Sequence, residues 1–326
     1  MLFKFSVIGL FFVAAAFRCV SDNHMLKAGT NGAKGLLQNA RDCCPKPGAC
    51  ESSTSNTVQI GMKRGCVVGP PRNDFETIAN LLRDVDGPGF ALARYADAER
   101  QVAMGGGVQS ADGWSFESGN VAPKLRNAVL ATLRGHSGEA YYYGFAGMID
   151  PIGTGFFLKH LEQSCEHITF ANIFVNAHLN LTTALYHELA QLYANRTVLI
   201  SSAAAQSNVL SGSVLGNSII ETLPLDPFGV MKYENNSFAA PLIAQARFLA
   251  SKYNGHLFVV SGGPLAKILI SEMWAANCRN RYVDFGSTVD NILAKVKTRE
   301  YPLEYVDKNF AVLRTDDVTI HSLNDA

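Results

Sequence analysis

An α/β fold with a Rossmann-like, mostly parallel sheet flanked by helices is what the sequence predicts, on three observations. Short, nearly continuous apolar runs recur along the chain, and helix-length segments separate several of them. The 326 residues are 48% hydrophobic and only 17% charged, enough apolar material to bury one large core or two modest ones. Strands buried on both faces read as unbroken apolar runs, which is the pattern of a parallel sheet covered by helices. No internal repeat interrupts it.

Taken in order, the chain opens with Lys4, the apolar run from Phe5 to Phe17, and Arg18. A run of thirteen residues falls short of the about 20 needed to span a bilayer, and Ala14 to Ala16 suit a signal peptidase. Residues 1–20 therefore read as a signal peptide or a short signal anchor. Either one sends the remainder into the secretory pathway (ER/Golgi lumen or secreted), the anchor with possible membrane attachment. Residues 21–56 are polar and rich in Gly, Ser, Asn and Cys, as in a stem or linker. The α/β domain is expected over 57–326.

Cysteine use fits that compartment. Cys43, Cys44, Cys50 and Cys66 crowd together without the paired spacing of a zinc site, while Cys165 and Cys278 stand apart downstream. Disulfides are the expectation, with connectivity open. The tripeptides beginning at Asn180, Asn195 and Asn235 are glycosylation sequons.

Within the domain, "DFETIANLLRDV" (74–85) is amphipathic, with Asn73 or Asp74 as cap, and Gly87-Pro88-Gly89 ends it before the strand "FALARY" (90–95). Further strands are expected at 167–174, 196–202, 217–225, 256–262 and 281–287. Helices are expected at 178–193, 238–253 and 264–277.

Lys plus Arg and Asp plus Glu both number 28, so no net field draws nucleic acid, and a small-molecule partner is expected. Ligands of open α/β sheets bind outside the carboxyl ends of the strands. Asp97 and Glu99 directly follow the strand at 90–95, with Arg94 and Tyr95 beside them. If the backbone stays extended for two more residues, both carboxylates share one face about 7 Å apart and approach one divalent ion, Mg²⁺ or Mn²⁺. A second candidate is "LFVVSGGPLAKILISEMW" (257–274), where an apolar strand passes through Ser261, Gly262 and Gly263 into a helix opening on Pro264. Glycines admit close backbone approach, and a helix N-terminus attracts phosphate.

Other features point less sharply. "YHELA" lacks the second histidine of a metalloprotease helix, and no G-x-S-x-G elbow is present. The aromatic run "YYYGFAG" (141–147) reads more as core than as a stacking platform. "DGWSF" (112–116) reads as a loop able to bring Asp112 or Trp114 to a site.

The segment "GFALARYADAERQVAMG" resembles the opening motif of the GT-D type glycosyltransferases, a strand followed by R-Y-G-D-G-E. Ala96 and Ala98 replace its two glycines, and the spacing of Arg94, Asp97 and Glu99 is kept. "VVSGGPLAKILISEMW" is similar to that family's strand, Gly-Pro-x-Ala turn and helix. "RYVDFGSTVDNIL" is similar to its closing segment, with Asp284 and Gly286 matching an Asp-x-Gly strand end. The likeness runs over residues 74 to 295. Between these motifs the chain departs from the family, with "AAAQSNVLSG" after the strand at 196–202 and Ser287 where a histidine is expected.

The resemblance implies a single catalytic domain that moves a sugar from a nucleotide-diphosphate sugar to an acceptor hydroxyl of a glycan or glycoprotein. Asp97 and Glu99 would be catalytic and metal-binding. Arg94, Tyr95, Ser261, Gly262, Gly263 and Asp284 would hold the donor. A divalent ion would neutralise charge developing on the departing diphosphate. A general base is still needed if the sugar carbon inverts, and Asp112, Glu117 and His178 are the candidates. Two other readings stand beside this one: a secreted nucleotide-sugar-binding protein without turnover, and another α/β transferase such as a methyltransferase.

Overall fold

The computed structural model describes residues 71–293, except 111–112, 118, 120–122, 147–149, 170–178 and 203–211. The leader, the stem, the first five cysteines, Asp112 and His178 lie outside the described residues. In chain order the elements begin with α1 (Pro71–Arg83), β1 (Phe90–Tyr95), α2 (Asp97–Met104) and a small antiparallel hairpin of β2 (Val108–Gln109) and β3 (Ser115–Phe116). There follow α3 (Pro123–Ala131), β4 (Tyr141–Phe145), α4 (Pro151–His160), β5 (Ile168–Thr169), α5 (Leu179–Leu192) and β6 (Thr197–Ser201). The rest comprises β7 (Ile219–Pro224), α6 (Gly229–Lys232), α7 (Asn236–Lys252), β8 (Leu257–Ser261), α8 (Pro264–Ala276), β9 (Arg281–Asp284) and α9 (Thr288–Leu293).

Seven strands form one sheet in the order β5-β4-β1-β9-β8-β6-β7, and every described pairing in it is parallel. The protein is therefore α/β and Rossmann-like, as the apolar runs predict. Strand residues alternate between two cores because successive side chains leave opposite faces. Ala91, Ala93 and Tyr95 of β1 join one core, against α2, α3, α7 and α8, while Phe90 and Leu92 join the other, against α1, α5 and α9. Phe258 and Val260 of β8 alternate with Leu257 and Val259 in the same way.

The sheet corrects some expectations. Helix α1 begins at Pro71, so Asn73 and Asp74 lie in its first turn and do not cap it. The aromatic run contains a strand, β4, with Tyr141, Tyr143 and Phe145 buried against β1. Of the strand expected at 167–174, Ile168–Thr169 is seen and 170–174 lies outside the described residues. The sequon residue Asn235 caps α7 by accepting from Ser237 N–H at 2.9 Å. Cys278, just past α8, is disulfide-bonded. Among the described residues, no helix is long and apolar enough to cross a membrane.

Candidate functional site

Strand β9 pairs with both β1 and β8, so the carboxyl ends of these three strands lie side by side in mid-sheet. Helices α2 and α8, which follow β1 and β8, pack on one face of the sheet, and α9, which follows β9, packs on the other. Neighbouring strands whose connections part to opposite faces leave a crevice at their carboxyl ends. Here the crevice is a cavity of 420 Å³, within the size range of small-molecule sites. Arg94, Asp97, Glu99, Ser261, Gly262, Gly263 and Asp284 all line it, so three segments far apart in sequence converge as expected.

Tyr95 does not line it. As the last residue of β1 its side chain points to the α2–α3 face, 1% exposed, stacked on Tyr143 with its hydroxyl 2.7 Å from Thr132 Oγ1. Burial pushes its hydroxyl well above the ordinary tyrosine range. It is a core residue. Glu117 is exposed and also absent from the cavity wall.

The extended continuation expected after β1 is not what forms. Helix α2 starts at Asp97, so Asp97 and Glu99 are its first and third residues, and helical residues two apart do not face each other. Asp97 is exposed at the cavity, where a carboxylate in the first turn is favoured by the helix dipole. Glu99 turns inward and is 4% exposed. Its Oε2 accepts from Ala96 N–H at 3.0 Å, satisfying an orphan amide at the helix start, and its Oε1 lies 2.8 Å from Lys267 Nζ. Burial raises the Glu99 carboxyl, but the adjacent Lys267 charge and these hydrogen bonds outweigh it and hold the group below its ordinary value.

Asp284, at the end of β9, is the second partner of Lys267, at 2.7 Å from Oδ2. Its Oδ1 accepts from Gly286 N–H at 3.0 Å, closing the turn beyond β9. That turn needs glycine. Gly286 has φ 56°, and a Cβ there would stand 2.5 Å from Arg94 Nη1, so the arginine head lies directly over bare backbone.

The turn into α8 also follows expectation. Gly263 has φ 52° and precedes Pro264 at the first helical position. The amides of Leu265 and Ala266 turn back onto the carbonyls of Gly262 and Gly263, so what this helix end offers an anion is chiefly its dipole.

Four lining residues were missed by the sequence reading or left without a charge partner in it. Arg100 pairs with Asp150 at 2.8 Å, and Asp150 also caps α4 by accepting from Gly153 N–H. Asp226 pairs with Lys232. Lys267 is the most consequential. It is the single charge in the apolar stretch "PLAKILI", and a buried charge demands partners, which was the available signal. Trp114, 3% exposed, packs near Gly263 on the cavity wall, as the loop reading allowed. Among the described residues, Asp97 is thus the lining carboxylate with no ion-pair partner.

A divalent ion clamped by Asp97 and Glu99 does not fit this arrangement. One acid faces the cavity and the other has both oxygens engaged from within the protein. Among the described residues, no three His, Cys, Asp or Glu side chains converge as metal ligands would.

No protein-family model matches the chain, and no curated protein matches it either. Among solved structures, the selenomethionine-substituted domain of unknown function 1792 superposes with a TM-score of 0.46 at 15% identity, covering 75% of this chain and 88% of that one. At that score and identity the likeness bears on no question of activity.

Proposed function

We propose that the protein transfers a sugar from a nucleotide-diphosphate sugar to a hydroxyl of a glycan or glycoprotein acceptor in the secretory pathway. One observation carries this reading: the three segments that resemble a GT-D glycosyltransferase meet around one cavity at the carboxyl ends of β1, β8 and β9.

In this reading the donor's diphosphate lies between Arg94 and the start of α8, where a guanidinium and a helix dipole meet the charge that grows as the sugar departs. The bond from the sugar carbon to the phosphate oxygen breaks as the bond to the acceptor oxygen forms. Asp97, exposed and without an ion-pair partner among the described residues, receives the acceptor's proton. Trp114 supplies an apolar wall. The divalent ion that the motif implies enters no step, because Glu99 is engaged elsewhere.

Calorimetric titration of the full chain with a panel of nucleotide sugars, followed by assay of nucleoside diphosphate release with hydroxyl acceptors, tests the proposal. Expected are binding of one nucleotide class and release that falls about 100-fold or more in Asp97→Asn without loss of folding. Binding without release on any acceptor would favour the non-catalytic reading. Binding of S-adenosylmethionine instead would replace both.

A further inference from the structure

The floor of the cavity already holds a cation. Lys267 Nζ lies 2.8 Å from Glu99 Oε1, 2.7 Å from Asp284 Oδ2 and 3.2 Å from the Gly263 carbonyl. An ammonium has three N–H groups, and here three oxygens take them. The three side chains are 5%, 5% and 2% exposed, so water does little of the work. Burial alone would favour the neutral amine, but the two carboxylates outweigh it and raise the Lys267 pKa above its ordinary value.

These two acids come from beside neighbouring strand ends, Glu99 from the first turn of α2 just after β1 and Asp284 from the end of β9. Opposed carboxylates at adjacent strand ends form an oxygen-rich point that suits a hard divalent ion. Lys267 occupies that point. It is carried on the first turns of α8, and a second cation between the same oxygens would face it as a like charge at close range.

We infer that Lys267 is the resident cation of this site, that Glu99 and Asp284 hold no divalent ion, and that the ligand's diphosphate binds without one. Its second half rests on the nucleotide-sugar reading; its first half does not. Glu99 then acts as a positioning residue, tying the turn that presents Asp97 to the start of α8.

The test uses the metal-freed full chain. Mn²⁺ alone is titrated onto the wild type, Glu99→Gln and Lys267→Met, with bound Mn²⁺ followed by electron paramagnetic resonance. The wild type is expected to show no site tighter than about 1 mM, and Lys267→Met to gain affinity by about tenfold or more as the two acids are vacated. A wild-type site in the micromolar range that Glu99→Gln removes would overturn the inference, even if Lys267→Met fails to fold.

Nucleoside diphosphate affinity is then compared in chelator and in Mn²⁺. Values within about threefold support the inference, and a loss of about tenfold or more in chelator overturns its second half. If no nucleoside diphosphate binds under either condition, the proposed function fails, while the Mn²⁺ titration still decides the identity of the resident cation.

Discussion

Gly286 lies so close beneath Arg94 that a Cβ on the glycine would stand 2.5 Å from Arg94 Nη1. The bare backbone beyond β9 thus sets where the arginine head rests over the cavity. Gly286→Ala must both adopt φ near 56°, at a cost of about 1–2 kcal/mol, and push the guanidinium aside. The expected result is a modest loss in urea-unfolding stability. A fall of about tenfold in nucleoside diphosphate affinity accompanies it, since a charge-assisted hydrogen bond is worth roughly 1.5–3 kcal/mol.

Lys267→Met leaves two buried carboxylates facing each other without a counter-ion. Removing one member of a buried ion cluster costs about 3–5 kcal/mol, measurable by chemical denaturation. Changing Glu99 to Gln in the same chain is expected to cost less than the two single losses added together, because they share one interaction.

The same cluster gives a pH signature. Glu99 titrates lower in the folded protein than its ordinary 4.5, so its contribution is present above that value and lost as pH falls through the folded pKa. Lys267 titrates higher than its ordinary 10.5, so its contribution is present below that value and lost as pH rises through the folded pKa. The cluster's stabilisation is therefore level between these limits and declines on both sides. In Lys267→Met the acid limb should weaken or reverse in a series of denaturation curves at stepped pH, because a facing carboxylate favours protonation.

Asp97→Asn is expected to leave the melting temperature nearly unchanged. The side chain is exposed, and its favourable place at a helix start is worth about 0.3–1 kcal/mol. Sugar transfer, not folding, should register the change, as a loss in turnover with nucleotide binding retained.

Tyr95→Phe separates core from site. It removes the hydrogen bond to Thr132 and should cost about 1 kcal/mol of stability, with no change in nucleotide affinity. A large affinity change would return Tyr95 to the binding site.

Strands β1, β6, β8 and β9 were legible because both faces are covered, leaving aliphatic runs with few interruptions. Strand β4 was not, since Tyr-Tyr-Tyr-Gly-Phe carries no aliphatic signature and its burial comes from aromatic stacking with Tyr95 and Phe157. The places of residues near 97 and 262 followed from strand ends, while Asp284 entered only through the family resemblance. What failed was the backbone between Tyr95 and Glu99. The two alanines around Asp97 favour helix by local preference, against the extended reading, and the helix is fixed because Glu99 then reaches Ala96 N–H and Lys267. That partner is far away in sequence, so no local pattern contains it.

Among the described residues, β9 is the last strand in chain order, yet it sits at the centre of the sheet, between β1 and β8. Without Arg281 to Asp284, no described pairing joins β5-β4-β1 to β8-β6-β7, and β1 and β8 each have an open inner edge. A nascent or truncated chain ending before residue 281 therefore exposes two unpaired apolar strand edges at once. Strand β9 both joins the halves and carries Asp284 to Lys267, so the sheet and the cavity floor depend on the same four residues.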